Sequence, residues 1–310
     1  MEFPMKTSPR ISIVTPSYQQ GQFLEDCIRS VAEQDYPNVE HIVIDGGSTD
    51  GSADVIRKLN DKLAYWVMEP DAGQYDAVNK GFRQSTGEIM AWLNSDDKYT
   101  PWTLSVVSEI FSSHPEIEWL TTLYPLTWDT EGRAVRCDQL GGFEWHSFSK
   151  GANLPGRWWF ARAFIQQEST FWRRTLWERA GAHVDASFKL AGDFELWARF
   201  FQYADLYSVT TPLGGFRIHE AQKTSGHFEE YLTEAEQVLR RYDFHPYGKL
   251  QTIVRRGLHY SVGSRPLLPR NRFYLSLLSG LARLSIFDQV KACTWDSKGN
   301  CWTTRTGYVA

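Results

Sequence analysis

Two adjacent acids, Asp96 and Asp97, end an apolar run in the sequence MAWLNSDDKYT. Paired Asp oxygens at the carboxyl end of a buried strand suit a hard divalent cation, Mg²⁺ or Mn²⁺, that holds a phosphate. The alternative is a simple turn, because Asn, Ser and Asp side chains hydrogen-bond to their own backbone where a strand gives way to a helix. Taken alone, the two acids favour the turn.

The elements around these acids follow a regular alternation of strand and helix patterns. Short β-branched or apolar runs predict strands at residues 11–15, 41–44, 64–68 and 88–93, and amphipathic stretches predict helices at 22–34, 75–84 and 101–113. Thr100 and Pro101 fit the N-cap and first position of the last helix. The alternation predicts a doubly wound, mostly parallel α/β sheet flanked by helices.

Polar clusters follow three of the predicted strands, at residues 15–18, 45–50 and 94–97. A sheet of this kind places its ligand site outside the carboxyl ends of its strands. A turn explains each cluster singly, but three clusters on the same edge of one sheet are better explained by a binding site. The sequence therefore moves the interpretation of Asp96 and Asp97 from a turn towards a site.

The second half of the chain is less regular. A helix is predicted from Asp193 to residue 201, a hairpin from residues 207–211 and 215–219, and a mainly helical segment from 228 to about 287. We divide the chain into a main domain at residues 1–226 and a basic, mainly helical C-terminal extension at 227–310.

Composition and charge narrow the class of protein. The chain has 310 residues, of which 42% are hydrophobic, and a net charge of −4. Residues 240–310 hold 12 Lys and Arg against 3 Asp and Glu, a net of +9, which leaves 21 against 34, or −13, for residues 1–239. An acidic body argues against a nucleic-acid partner. The basic extension, with its apolar stretch at 271–287, predicts contact with an anionic membrane surface, and a solvated helix face is the alternative.

No segment of the sequence is apolar enough to predict a signal peptide or a membrane span, so we expect a cytoplasmic protein, peripheral at the inner membrane face. The membrane contact is assigned to arginines of the extension. They are Arg255, Arg256, Arg265, Arg270 and Arg272. The four scattered cysteines predict free thiols, with a Cys293–Cys301 bridge as the alternative in an oxidising compartment.

Six motifs then occur in a fixed order: SIVTPSYQQGQFLEDCIRSVAEQDYPNVEHIVIDGGSTDGS, EPDAGQYDAVNKG, STGEIMAWLNSDD, QQESTFWRR, AGDFELWAR and GFRIHEAQKTS. Together they resemble glycosyltransferase family 2, whose members have the GT-A fold and use nucleotide-sugars. The resemblance covers residues 11–225.

The resemblance implies a nucleotide site along the strand ends. Thr15 and Asp45 match positions that line the nucleobase pocket, where a carboxylate favours uracil or thymine. Asp96 matches the acid near the ribose, and Asp97 matches the acid that binds a divalent metal, Mn²⁺ or Mg²⁺. Many relatives carry a second acid directly after the first, whereas this chain has Gly46. This difference leaves uridine, thymidine and guanosine open as the base.

Two further residues of the second motif have alternative roles. Lys80 is predicted to meet the nucleotide diphosphate, and a lysine extended along a helix surface is the alternative. Asp71 lies in a strand-to-helix turn and is predicted as an N-cap, with the nucleotide pocket as the other possibility.

Transfer of a sugar to a hydroxyl needs a base, and the resemblance nominates Asp193. The helix N-terminus at this residue would favour the ionised carboxylate that a base requires. The alternative is an N-cap without a catalytic role. A single base that acts from the face opposite the leaving group implies inversion at the anomeric carbon, with no second carboxylate as nucleophile.

The late motifs suggest residues on the metal and acceptor sides. His219 resembles a histidine that completes the metal shell in some family members, although a lone histidine is usually structural. Gln167 lies in a segment that lines the acceptor side. Trp158, Trp159 and Trp172 are candidates for stacking on an acceptor sugar, with core or interface positions as the alternative.

The expected function is that of a metal-dependent, inverting glycosyltransferase that uses a nucleotide-sugar, with a UDP-sugar favoured, and a glycan or lipid-linked acceptor in surface polysaccharide synthesis. A nucleotidyltransferase is the first alternative, but the sequence PSYQQG lacks the basic triphosphate loop of that class. A non-catalytic sugar-nucleotide or glycan-binding subunit is the second alternative. Loss of Asp97 or Asp193 would have indicated it, and both are present.

Overall fold

A computed structural model of the chain describes residues 8–154, 163–220, 226–246 and 288–309. Trp158 and Trp159, the apolar stretch at 271–287 and the five arginines predicted to meet a membrane lie outside these residues. Within the described ranges, no helix has the length and hydropathy needed to span a bilayer.

Strands β1 to β4 and their helices confirm the predicted alternation. The strands are β1 (Ile11–Ser17), β2 (Val39–Asp45), β3 (Tyr65–Met68) and β4 (Ile89–Trp92). The helices are α1 (Gly21–Ala32), α2 (Ser52–Lys58), α3 (Gln74–Gln84) and α4 (Thr103–Ser113). Helix α1 buries Phe23, Leu24, Cys27, Ile28 and Val31, the apolar face seen in its sequence.

Helix α4 begins later than predicted. Its N-cap is Trp102, whereas residues 101 and 102 form a turn. The Thr100 hydroxyl instead lies 2.9 Å from the Thr103 hydroxyl and 3.3 Å from the carbonyl oxygen of Leu213. Thr100 is therefore drawn into a tertiary contact that competes with capping.

The rest of the chain adds strands and helices to both layers. The strands are β5 (Lys98–Tyr99), β6 (Trp119–Thr122), β7 (Leu126–Trp128), β8 (Ala134–Cys137), β9 (Phe171–Arg173), β10 (Leu206–Val209), β11 (Gly214–Arg217), β12 (Asp288–Asp296) and β13 (Cys301–Val309). The helices are α5 (Trp145–Ser149), α6 (Arg174–Arg179), α7 (Gly192–Phe200) and α8 (Phe228–Arg241). A 3₁₀ turn spans Gln167–Ser169.

The main sheet has the strand order β13-β12-β10-β6-β9-β4-β1-β2-β3 in the described residues. β1, β2, β3 and β4 are parallel to one another, and β9 and β13 are antiparallel to their neighbours. This confirms the predicted α/β class with a mostly parallel sheet flanked by helices. The parallel order brings the carboxyl ends of β1, β2 and β4 to one edge.

An aromatic core fills the space between the main sheet and helices α3, α6 and α7. Trp92, Trp119, Trp172 and Trp197 are fully buried there. The rings of Trp92 and Trp197 stack with centroids 6.1 Å apart, and Trp172 meets Trp92 edge to face at 5.8 Å. Aromatic pairs of this kind add to the free energy gained by burial. Trp172 is thus a core residue, which is the alternative that its sequence left open.

A second sheet, in the order β5-β11-β7-β8, stands beside the carboxyl ends of the main strands. The predicted hairpin of residues 207–211 and 215–219 is wrong, because β10 joins the main sheet while β11 pairs with β5 and β7. Residues 210–213 connect β10 of the main sheet to β11 of the second sheet. The separation of the two strands places the residues after β11 against the acids that follow β4.

The C-terminal region contributes to the same body. Tyr231, Leu232, Ala235, Val238 and Leu239 of α8 are buried in the main core. Residues 288–309 form the hairpin β12–β13, which the sequence did not predict, and β12 pairs in parallel with β10. Cys293 is buried and Cys301 is exposed, and both are free thiols as predicted. The boundary at residue 226 stays a prediction.

Candidate active site

The acids that end β4 sit in a tightly bonded turn. Asp97 is 1% exposed, and its Oδ1 accepts the backbone N–H of Arg217 at 2.9 Å. Asn94 donates to Asp97 Oδ2 at 3.3 Å and to Gln167 Oε1 at 3.1 Å. The Asp96 side chain is 20% exposed and faces His219. Asp96 is therefore partly exposed, whereas Asp97 is buried. We call the place where Asp96, Asp97 and His219 meet the recess.

Arg217 fixes this turn from β11. Its guanidinium is fully buried, donates through Nε to the carbonyl oxygen of Asp96 at 2.6 Å, and pairs with Asp26. It also donates to the carbonyl oxygens of Asp129 at 3.2 Å and Thr130 at 3.0 Å. The planar fork of arginine allows it to join three segments at once. The sequence analysis missed Arg217, although the motif GFRIHEAQKTS places it two residues before His219.

His219 completes the group beside Asp96. Its Nε2 lies 3.0 Å from Asp96 Oδ2. Its Nδ1 is buried and has no hydrogen-bond partner among the residues that the structure describes. When Nε2 carries the proton and donates it to Asp96, Nδ1 keeps a lone pair that suits a metal ion.

The side chains of Asp97 and His219 offer ligand atoms that suit a divalent cation. Burial, and then the charges of Asp96 and Glu168, raise the pKa of Asp97 well above its usual range. A cation would offset this mutual repulsion, and the unpartnered His219 Nδ1 offers it a ligand. The described residues contain no three such side chains already in metal-binding geometry. The ligand set of Asp97 and His219 therefore remains a prediction.

Asp193 lies in the first turn of α7, at its second residue. The N-cap is Ala191, so the N-cap alternative for Asp193 is wrong. The carboxylate accepts the N–H of Phe194 at 2.8 Å. Burial nevertheless raises the pKa of Asp193 to about 7, against the effect of the backbone N–H groups. The backbone N–H groups of the helix terminus favour the ionised form, as expected, but desolvation of the carboxylate outweighs them.

Glu168 is an acid of the site that the sequence analysis did not nominate. It is 4% exposed, and its Oε1 has no hydrogen-bond partner among the described residues. Burial, with the charges of Asp193 and Asp96, raises its pKa to about 7. The charges of Asp193, the candidate base, and of Asp96, a strand-end acid, therefore both act on Glu168. Its position beside Gln167 in the QQESTFWRR motif was the available signal.

Gln167 supports the strand end from the 3₁₀ turn. Its Nε2 donates to the carbonyl oxygen of Trp92 at 2.6 Å, and its Oε1 accepts from Asn94. These bonds fix Asn94, which in turn contacts Asp97. The position lies next to the recess, and its predicted role on the acceptor side stays a prediction.

Thr15 and Asp45 lie at the ends of the adjacent strands β1 and β2, and both are fully buried. The Thr15 hydroxyl faces the interior and lies 2.9 Å from His41 Nε2. Asp45 accepts the N–H groups of Gly47 at 3.0 Å and Ser48 at 2.7 Å, so it closes its own turn. These are the contacts of structural residues, and nucleobase recognition by either residue stays a prediction.

The unusual glycine, Gly46, faces the turn that precedes α3. A Cβ atom at Gly46 would lie 2.8 Å from Asp71 Oδ2 and 3.2 Å from a ring carbon of Tyr18. The absence of a side chain at residue 46 therefore lets Asp71 and Tyr18 approach the end of β2. Tyr18 is 59% exposed and offers its ring to the outside of this edge. Asp71 belongs to this edge, and the N-cap of α3 is Gly73.

Lys80 is held at the same turn by acids. Its Nζ lies 3.0 Å from Glu69 Oε1 and 3.6 Å from Asp76 Oδ2. The ammonium group therefore has partners within the protein, as the surface-lysine alternative expects. A contact with a nucleotide phosphate stays a prediction and requires exchange of these partners.

The model of glycosyl transferase family 2 matches residues 12–169. The chain belongs to this family. Relatives in family 2 include an uncharacterized glycosyltransferase of Rickettsia prowazekii, 26% identical over 227 residues, which are 72% of this chain and 70% of the relative. A second is an uncharacterized glycosyltransferase of Mycobacterium tuberculosis, 37% identical over 97 residues, or 31% of this chain. A third is the putative teichuronic acid biosynthesis glycosyltransferase TuaG of Bacillus subtilis, 35% identical over 94 residues, or 29% of this chain. The matches span 37% of the length of each of the last two relatives.

Solved structures share the GT-A fold with this family 2 chain at low identity. Residues 1–349 of S. aureus TarS, in complex with UDP-GlcNAc, superpose with a TM-score of 0.57 at 16% identity, over 81% of this chain and 73% of that one. The mannosyltransferase PcManGT of Pyrobaculum calidifontis, in complex with GDP-Man and Mn²⁺, gives a TM-score of 0.53 at 16% identity, over 91% and 81%. These structures establish the fold.

Proposed function

We propose that this chain is an inverting, metal-dependent glycosyltransferase. It moves a sugar from a nucleotide-diphosphate donor, with a UDP-sugar favoured, to a hydroxyl of a glycan or glycolipid acceptor. The B. subtilis relative is named for teichuronic acid biosynthesis, which supports a role in surface polysaccharide synthesis.

The observation that carries the proposal is that acids from α7, the 3₁₀ turn and the end of β4 lie within electrostatic reach of one another. The charges of both Asp193 and Asp96 raise the pKa of Glu168. Asp193 comes from α7 and Asp96 from the end of β4, about a hundred residues apart in sequence. A site for transfer needs a base on one side and a diphosphate-binding edge on the other, and this arrangement supports both roles.

In the proposed reaction, Asp193 accepts the proton of the acceptor hydroxyl as that oxygen bonds to the anomeric carbon. The bond from this carbon to the diphosphate oxygen breaks on the opposite face, so the configuration inverts. The diphosphate leaves with the electron pair of that bond. A divalent cation held by Asp97 and His219 would neutralise charge on the departing diphosphate.

The base of the nucleotide donor must be identified by experiment, because the two structural neighbours bind different nucleotides. The TarS complex holds UDP-GlcNAc and the PcManGT complex holds GDP-Man with Mn²⁺. At 16% identity, the nucleotide bound by either neighbour does not indicate which base this chain binds. The carboxylates of Asp45, at the end of β2, and Asp71, in the turn before α3, suit the N–H groups of either uracil or guanine.

A thermal-shift panel of UDP, dTDP, GDP and CDP, each with and without Mn²⁺, tests the donor site. We expect one nucleotide to raise the Tm of the wild type in the presence of Mn²⁺. A ligand at about 100 times its Kd stabilises the native state by about 2.7 kcal/mol. The same shift should be lost in Asp97→Asn and kept in Asp61→Asn, an exposed acid away from the recess.

Each outcome of the panel is informative. A shift that needs both Mn²⁺ and Asp97 supports the metal-dependent donor site. A shift that does not need Mn²⁺ contradicts the proposed metal dependence. It remains consistent with a glycosyltransferase that binds its nucleotide without a metal. If no nucleotide raises the Tm, the proposed donor site is wrong. The alternative of a non-catalytic subunit is then favoured.

Contact with a membrane through the basic C-terminal region is a further part of the proposal. The net charge of +9 over residues 240–310 supports it. Flotation with anionic vesicles at low salt should carry the protein with the lipid. Protein that stays wholly in the aqueous fraction would remove the membrane from the proposal.

A further inference from the structure

Glu234 of α8 binds the backbone that leads into α7. Its carboxylate accepts the N–H groups of three consecutive residues, Lys189, Leu190 and Ala191, at 3.0, 2.9 and 2.9 Å. Ala191 is the N-cap of α7, and Asp193 follows two residues later. The carboxylate therefore holds the segment that carries the base candidate.

Tyr75 of α3 holds the same segment from the other side. Its hydroxyl donates to the carbonyl oxygen of Leu190 at 2.7 Å and accepts the N–H of Gly192 at 3.0 Å. A Cβ atom at Gly192 would lie 2.6 Å from the Tyr75 ring, so the glycine is what permits this approach. Two helices from distant parts of the sequence thus clamp residues 189–192.

The chemistry of the clamp suits a carboxylate. The amide groups before and at the start of a helix have no intrahelical acceptor, and the helix dipole adds positive potential there. A carboxylate from α8 satisfies three of these donors at once. Glu234 also places a negative charge near Asp193. The titratable groups that interact with Asp193 come from three elements and are Tyr75, Glu168, Tyr231 and Glu234.

We propose that Glu234 is a positioning residue for the base, which fixes residues 189–192 and thereby the direction of the Asp193 carboxylate towards the acceptor hydroxyl. The inference rests on the proposed function for the role of Asp193. It assigns a part in the reaction to α8, which lies beyond the matched residues 12–169.

The test compares Glu234→Gln with Glu229→Gln, an exposed acid on the same helix. We expect Glu234→Gln to lower kcat roughly 10- to 100-fold, because small misplacements of a reacting group have effects of this size. KM for the nucleotide-sugar should stay within about twofold. The acid limb of the kcat profile should move to lower pH, because removal of a negative charge favours ionised Asp193. Glu229→Gln should match the wild type.

Two readouts separate positioning from general damage. Hydrogen exchange of the peptide that spans residues 189–194 should quicken in Glu234→Gln, with the rest of the chain unchanged. Tyr75→Phe, which removes only the other half of the clamp, should lower kcat with KM retained in the same way. If Glu234→Gln does not fold, Tyr75→Phe decides the question.

An unchanged kcat in Glu234→Gln overturns the proposal, even if exchange quickens, because the clamp would then be structural only. Unchanged exchange in residues 189–194 overturns the clamp itself. Failure of the wild type to transfer sugar from any nucleotide donor is a different result. It refutes the proposed function and the catalytic role of Glu234 with it, and the exchange measurement still reports whether the clamp exists.

Discussion

The donor edge at the end of β2 and the base side of the site are held in different ways. In the turn after β2, Asp45 accepts the N–H groups of Gly47 and Ser48, two and three residues away. On the base side the bonds cross the chain, from Tyr75 to Leu190 over 115 residues and from Glu234 to Leu190 over 44. Local bonds form with the turn, whereas crossing bonds form only when the whole domain packs.

This contrast predicts where distant substitutions act. A substitution outside residues 45–48 should leave the turn after β2 intact, because its bonds lie within the turn. A substitution that breaks the contacts of Tyr75 or Glu234 with residues 189–192 should disturb Asp193.

The largest effect is expected from Asp193→Asn. Asparagine keeps the shape of the side chain and cannot accept the proton of the acceptor hydroxyl. We expect kcat to fall roughly 10²- to 10⁴-fold, the usual contribution of a general base. The thermal shift caused by nucleotide and Mn²⁺ should remain. Initial rates of nucleotide release with donor and acceptor measure the first effect, and Asp54→Asn on the exposed face of α2 is the control. A rate within tenfold of the wild type would remove Asp193 from the mechanism.

The pH dependence of the wild type provides a second check on Asp193. Burial raises its pKa to about 7 from an ordinary value of 3.8. The base form accumulates as pH rises through 7, so kcat should rise with pH and fall about tenfold per unit well below pH 7.

The stability of the folded protein should depend on pH in the opposite direction to kcat, and it can be measured without an activity assay. Between pH 4 and 7 the folded protein keeps a proton on Asp193 that the unfolded chain has lost, so this residue makes stability fall as pH rises. Asp193→Asn should therefore gain Tm relative to the wild type across this range. A constant difference in Tm would show that the carboxyl titrates normally.

The contrast also explains what the sequence could predict. β1 to β4 and α1 to α3 follow from local periodicity, and Asp96, Asp97 and Asp193 from motifs that keep their order. Arg217, Glu168 and Glu234 were missed, because each acts through partners far away in sequence. Arg217 contacts Asp96 across 121 residues, for example. No local pattern records such a partner.

The strands predicted wrongly have the same cause. Residues 207–219 look like a hairpin locally, yet β10 finds β6 and β11 finds β5 and β7. Trp172 is equally suited to a core or a sugar platform by composition, and only its contacts with Trp92 and Trp197 decide for the core. Pairing and burial are settled between segments, beyond what one segment encodes.

A smaller and more local effect is expected at the donor edge from Gly46→Ala. The new methyl group would lie 2.8 Å from Asp71 Oδ2 and 3.2 Å from a ring carbon of Tyr18, so the Asp71 carboxylate must shift. The shift moves the carboxylate away from the place where we propose that it meets the nucleotide. We expect nucleotide affinity to fall roughly tenfold, which corresponds to about 1.4 kcal/mol. Titration of the nucleotide found in the thermal panel measures it.

The cause is separable by a double-mutant cycle with Asp71→Ala. Removal of the Asp71 side chain takes away the atom nearest to the new methyl group, so Gly46→Ala should cost less affinity in the Asp71→Ala background. Contacting residues usually couple by about 0.5–3 kcal/mol. Gly226→Ala is the matched control, because a Cβ atom there meets no described atom within 4 Å. If the effects of the two substitutions on nucleotide affinity are strictly additive, Gly46 and Asp71 do not interact at the nucleotide site. Asp71 would then have no part in the proposed donor edge.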